Sequence, residues 1–246
     1  MTECLKYSMP SLRYNLAAMT SEAVLRIKAL IFDFDGLILD TETPEYQVWQ
    51  TLYREHGFEL PHEEWGKTIG GYGISNFDAA EHLVQLTLGR LDSVSLRERH
   101  RSESAALTLT QPILPGVVNY LNDARRLGLK LAIASSSRHD WVERHAGRLG
   151  VLDCFDRVIC ADDVAPGRTK PYPDLFLLAL ERLEVRKNEA IVFEDSPNGV
   201  KAAQAAGIFV VAVPNPITSL LTIENANLIV PSLADLPLPE LLSKVQ

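Results

Sequence analysis

The run Ala29-Leu30-Ile31-Phe32 is continuously apolar and stops on two carboxylates one residue apart, Asp33 and Asp35, ahead of Gly36 and Leu37-Ile38-Leu39-Asp40-Thr41-Glu42. Apolar residues without alternation suit a strand covered on both faces, as in a parallel sheet. Ligands of open α/β sheets gather outside the carboxyl ends of such strands, so Asp33 and Asp35 are expected at a binding edge. Taken alone, the pair also fits a solvated turn. An EF-hand is excluded because Gly36 falls at the fourth loop position instead of the sixth.

Further apolar runs recur at 131–134, 158–160, 190–193, 209–213 and 228–230, alternating with segments of helical apolar spacing at 116–127, 140–149, 173–183 and 198–206. Gly128, Gly150 and Gly207 stand where these helices should stop. The alternation predicts βαβ units and an α/β, Rossmann-like parallel sheet. Residues 43–111 break the rhythm: helices are expected near 46–56, 76–88 and 91–107, with no strand among them. Segment 43–111 is therefore expected to be a helical cap inserted into a core of 25–42 plus 112–246, with Pro112 and Pro115 marking the return. Residues 1–24 are expected to form a flexible extension.

A net charge of −8 gives no electrostatic footprint for nucleic acid or an anionic membrane surface. No apolar stretch reaches the roughly 18 residues of a membrane span, and Cys4, Cys154 and Cys160 contain no C-x-x-C pair for zinc. A cytoplasmic monomer acting on a small molecule is expected, with neither nucleic acid nor membrane as partner.

Polar residues follow four of the predicted strand ends or the loops between them. They are Asp33 and Asp35; Ser135 in Ala134-Ser135-Ser136-Ser137; Lys170 in Lys170-Pro171-Tyr172-Pro173-Asp174; and Glu194-Asp195 in Phe193-Glu194-Asp195-Ser196-Pro197-Asn198-Gly199. Each is commonplace alone: a serine or acid after a strand caps a helix, and most lysines are solvated. In this order, over residues 27–232, the set resembles the haloacid dehalogenase-like superfamily, within it the phosphatases and mutases with a small helical cap after the first strand.

That resemblance implies a Mg²⁺-dependent phosphatase of small phosphate monoesters, such as sugar phosphates. Asp33 would be the nucleophile forming an aspartyl-phosphate, and Asp35 the acid and then base. Ser135 would bond a phosphoryl oxygen and Lys170 would neutralise charge. Mg²⁺ would take the Asp33 and Asp195 carboxylates and the Asp35 backbone carbonyl. Glu194 and Asn198 would support these ligands from behind. Dehalogenases and phosphonate-cleaving members lack an acid at the Asp35 position, so Asp35 speaks for phosphate esters.

Substrate contacts are expected from Ser135, Ser136, Arg138 and Glu45, with Trp49, Lys67, Tyr72 and His139 as further pocket candidates, and Gly70, Gly71 and Gly73 loosening a cap loop. Relative to beta-phosphoglucomutase-type members, Glu45 replaces a histidine, and Thr68–Ser75 holds no counterpart of the Ser-Arg pair that grips a second phosphate. Arg138 stands where the mutases have a cationic contact. Hydrolysis is thus preferred to mutase activity. A phospho-accepting signalling module, which would share the aspartate, serine, lysine and Mg²⁺, and a catalytically silent binding protein are the alternatives of other classes.

Overall fold

The computed structural model describes residues 27–245 except 67 and 69–75; the expected extension at 1–24, and Lys67, Gly70, Gly71, Tyr72 and Gly73, lie outside the described residues. Six parallel strands form one sheet: β1 (Ala29–Phe32), β2 (Lys130–Ala134), β3 (Arg157–Ile159), β4 (Ala190–Glu194), β5 (Phe209–Ala212) and β6 (Leu228–Ile229). Their spatial order is β3-β2-β1-β4-β5-β6. β1 is the hinge of that order. The chain runs outward from it through β2 and β3, then returns to its other side at β4, with Phe32 in register with both Ile133 and Phe193. Such a reversal opens a crevice at the carboxyl ends of the strands.

Alternation along the strands separates two apolar layers. Leu30, Phe32, Ile133 and Phe193 face α5 (Val117–Arg126), α6 (His139–Arg148) and α9 (Leu238–Lys244), which contribute Tyr120, Val142 and Leu241. Phe32 stacks on Phe193 at 4.9 Å and Tyr120 meets the Phe193 edge at 5.4 Å, geometries that aromatic quadrupoles favour. The opposite face mixes small residues, Ala29, Ala132, Ala134, Ala190 and Ala212, with Ile31, Val192 and Val210 under α7 (Asp174–Leu183) and α8 (Pro197–Ala205). Gly128, Gly150 and Gly207 adopt left-handed φ just past α5, α6 and α8, the conformation that ends a helix.

Among the described residues between β1 and α5 lie four helices: α1 (Glu42–Glu55), α2 (His62–Gly66), α3 (Ala79–Leu86) and α4 (Ser93–Thr110). No strand occurs among the described residues of this stretch. Asp78 and Asp92 start α3 and α4, their carboxylates accepting from the free amides of the first turns. Asp78 is why α3 begins later than the apolar spacing suggests. The helices bury Trp49, Leu52, Tyr53, Trp65 and Leu83 together with Ile217, which follows β5. Leu114 N–H donates to Ile38 O at 2.9 Å, so the chain leaves β1 and returns at neighbouring points. Among the described residues, no helix is long and apolar enough to cross a membrane.

Candidate active site

The ends of β1 and β4 are adjacent, and their register brings Asp33 beside Glu194 and Asp195. Asp33, Glu194 and Asp195 are all buried, and each offers a carboxylate oxygen within 4.8 Å of the others. Lys170 reaches them from the loop between β3 and α7. Its Nζ lies 2.6 Å from Asp33 Oδ1 and 2.5 Å from Glu194 Oε1, and the side chain is only 3% exposed. The Lys170–Pro171 peptide is cis.

Three carboxylates are therefore buried together with one ammonium, which pairs with two of them, Asp33 and Glu194. Burial first, and Glu194 next, push the Asp33 carboxyl up to about 8 against the pull of Lys170. Burial and the charges of Asp33 and Glu194 likewise hold Asp195 well above the carboxylate range. Burial opposes the charge of Lys170, but Asp33 and Glu194 outweigh it and raise the ammonium above its ordinary value. An excess of hard anionic oxygens out of water is the donor set that Mg²⁺ or a similar divalent cation takes, so these residues fit such an ion.

Close backbone approach builds this corner. Ser196 caps α8 through its Oγ, which accepts from Gly199 N at 3.1 Å; neither Glu194 nor Asp195 supplies that cap. Glu194 Oε2 instead accepts from the Asp195 and Ser196 amides at 3.1 and 3.3 Å and from Ser196 Oγ at 3.2 Å. A Cβ on Gly199 would overlap the Glu194 carboxylate, and one on Gly36, at φ +79°, would overlap Asp195 and crowd Asn215. Asn215, buried after β5, donates from Nδ2 to Asp195 Oδ2 at 2.8 Å and to Gly36 O at 3.2 Å. It thereby ties the end of β5 to the first loop.

Asp35 turns toward the end of β2. Its Oδ2 accepts from Ser137 Oγ at 2.7 Å and from Ser135 Oγ at 3.2 Å, while Oδ1 accepts from Trp141 Nε1 at 2.8 Å. These groups open onto a cavity of about 410 Å³ whose sheet side carries Asp33, Asp35, Ser135–Ser137, Trp141, Lys170 and Asp195 and whose helical side carries Thr41, Glu42, Glu45 and Thr68. Glu42 is held well above the carboxylate range by burial, then by Glu45 and Asp35. Glu45 is exposed at the cavity mouth, where crowding by surrounding protein and then the Asp35 charge push its carboxyl up to about 7. Two other cavities, of about 480 and 520 Å³, lie beside Lys187 and Phe209 and against the outer face of α1 and α4. Neither gathers strand ends with carboxylates.

Asp33, Asp35, Ser135, Ser136, Lys170, Asp195 and Glu45 thus meet around one space, and Glu194 stands behind it. Asn198 is buried in the first turn of α8. Arg138 departs from expectation. It is absent from the cavity wall; its exposed guanidinium lies 3.1 Å from Asp162 Oδ1 and 3.6 Å from Asp140 Oδ1, because acids on both flanks draw it outward. His139 pairs with Asp163 and Glu143 at 2.7 and 2.8 Å, and Trp49 is buried against His100. Asn215 and Trp141 join the site without having been among the expected residues. Asn215 follows an apolar run between two prolines, the same strand-then-polar signature as Ser135, whereas Trp141 carries no signal beyond helical spacing.

A family model described as haloacid dehalogenase-like hydrolase matches residues 27–207. The chain belongs to the haloacid dehalogenase-like hydrolases. Among similar proteins of this hydrolase family is one from Bacillus subtilis (strain 168) named "Putative phosphatase YhcW". It is 44% identical over 216 residues, covering 88% of this chain and 96% of the relative. The fructose-1-phosphate phosphatase YqaB of Escherichia coli (strain K12) is 31% identical over 192 residues, 76% of this chain and 97% of the relative. The crystal structure of beta-phosphoglucomutase from Clostridium difficile matches at a TM-score of 0.65 and 26% identity, covering 89% of this chain and 97% of that one.

Proposed function

We propose that this hydrolase is a Mg²⁺-dependent phosphatase of small, sugar-phosphate-like monoesters working through an aspartyl-phosphate on Asp33. It is a phosphoric monoester hydrolase, in keeping with its family and with relatives named as phosphatases. The observation that carries the finer reading is the convergence of Asp33, Glu194 and Asp195 within 4.8 Å beside Lys170.

Asp33 attacks phosphorus and the ester oxygen leaves, taking a proton from Asp35. Water, losing its proton to Asp35, then displaces Asp33 and frees phosphate. Ser135 donates to a phosphoryl oxygen, and Lys170 holds Asp33 in place and offsets charge that develops on the transferring group. When bound, Mg²⁺ would be held by the Asp33 and Asp195 carboxylates and the Asp35 carbonyl and would offset the repulsion between an anionic cleft and an anionic ester. Residues 43–111 act as a cap over a core of 25–42 plus 112–246, and Glu45 and Thr68 bring it to the cavity wall.

The likeness to a beta-phosphoglucomutase structure favours a mutase as the second reading. Against it, Arg138 is engaged by Asp162, and a bisphosphate would find no cationic fork for its second phosphate among the described cavity residues. The test is phosphate release from a panel of sugar, nucleotide and short-chain phosphates with Mg²⁺, using the wild type and Asp33→Asn. Release by the wild type alone is expected. Retained turnover in Asp33→Asn removes the nucleophile, and faster interconversion of hexose 1- and 6-phosphates than phosphate release makes it a mutase.

A further inference from the structure

We propose that Trp141 is a positioning residue for the proton-transfer step, its indole N–H tethering the Asp35 carboxylate while Ser135 changes partners. This inference rests on the phosphatase reading of the site. Both oxygens of Asp35 are engaged, and all three donors come from one short segment, the end of β2 and the first turn of α6. A carboxylate oxygen has two acceptor sites. Ser135 and Ser137 fill those of Oδ2, while Trp141 takes one on Oδ1.

Ser135 has a single hydroxyl proton. Its Oγ already accepts from Ser137 N at 3.0 Å, and its bond to Asp35 is the longest of the three at 3.2 Å. A phosphoryl oxygen arriving at Ser135 can be served only if that proton is withdrawn from Asp35. The exchange frees an Oδ2 lone pair, which can carry the proton that Asp35 gives to the leaving oxygen, and it leaves Asp35 held by Ser137 and Trp141 alone. An indole N–H donates and never accepts, so it cannot take a proton from Asp35 and its hold persists through the step.

The indole is itself fixed. Trp141 stands in the first turn of α6, packs against the larger apolar layer and lies 4.3 Å, centroid to centroid, from His145 one turn later. Misplacement of a reacting group by about 1 Å can cost about 100-fold in rate.

The test compares Trp141→Phe with the wild type on an alkyl phosphate and on p-nitrophenyl phosphate, reading single-turnover release of the leaving group. An alkoxide needs the proton and a nitrophenolate scarcely does. The variant should lose at least about tenfold more rate on the alkyl ester than on the aryl ester, part of the 10²–10⁴ a placed acid contributes, with KM for the alkyl ester changed less than about twofold. Equal losses on both esters, or a loss carried wholly in KM, overturn the proposal.

A second measurement needs neither turnover nor a folded Trp141 variant. In ¹⁵N-labelled wild type and Asp35→Asn, exactly one indole N–H resonance should move upfield when the carboxylate is removed; three unmoved resonances overturn the tether. Failure to release phosphate from any ester counts against the phosphatase reading, while the indole spectrum still decides whether Trp141 holds Asp35.

Discussion

Gly199→Ala should unfold this protein more readily although alanine is the better helix former. Gly199 is in the first turn of α8, and the added methyl would overlap the Glu194 carboxylate, which is fully buried and bonded to Lys170 and Ser196. Helix propensity favours alanine by about 1 kcal/mol. Overpacking costs about 1–3 kcal/mol, and pushing a buried anion off its ammonium approaches the 3–5 kcal/mol, roughly, of breaking such a pair. The net expectation is about 2–4 kcal/mol of destabilisation, a fall in Tm of roughly 5–15 °C for a chain of this length. Gly147→Ala is the control. Gly147 is exposed in the last turn of α6 and a Cβ there meets nothing within 4 Å, so propensity acts alone and stability should rise by up to about 1 kcal/mol. Urea unfolding of the three proteins reads both effects from midpoints at constant m. A Gly199→Ala midpoint at or above the wild type would refute the close packing of α8 on Glu194.

Metal-free protein should lose stability as pH rises from about 4 toward 8. Asp33 and Asp195 have folded-state values above their unfolded ones, so the native state binds more protons than the unfolded chain across that window. Mg²⁺ should raise Tm increasingly along it, and thermal melts with Mg²⁺ or EDTA check this; a Mg²⁺ effect independent of pH would contradict it. Asp195→Asn should raise the metal-free Tm at pH 8 and abolish the Mg²⁺ increment, read in the same melts. Glu189 behaves oppositely, being held low first by its bond to Arg186 and then by Lys28. Glu189→Gln should lower Tm at pH 7, and the gap should persist at pH 5, closing only as acid passes below the ordinary glutamate value of about 4.3 toward the depressed folded one. A gap that widens in acid would contradict the pairing.

What the sequence makes legible is whatever a strand imposes on its neighbours. β1, β2, β4 and β5 are buried runs whose ends share one edge, so Asp33, Ser135 and Asp195 are legible as strand-end residues, and the family resemblance joins them into one set. α2 and α9 are not legible in the sequence because five and seven residues show too little period. Arg138 differs for another reason: its neighbourhood in sequence suggests a substrate contact, whereas Asp162, brought close by the packing of β3 beside β2, offers it a counter-charge. Trp141 shows the converse. Helical spacing assigns an indole to the core whether or not its one polar atom has work to do, and only the fold reveals that Nε1 meets a carboxylate a hundred residues upstream. Strand ends are thus readable because topology gives them one place to go, whereas contacts made by the flanks of helices depend on rotation and crossing angle. Among the functional assignments, those resting on α6 are therefore the ones in which structure adds most to sequence.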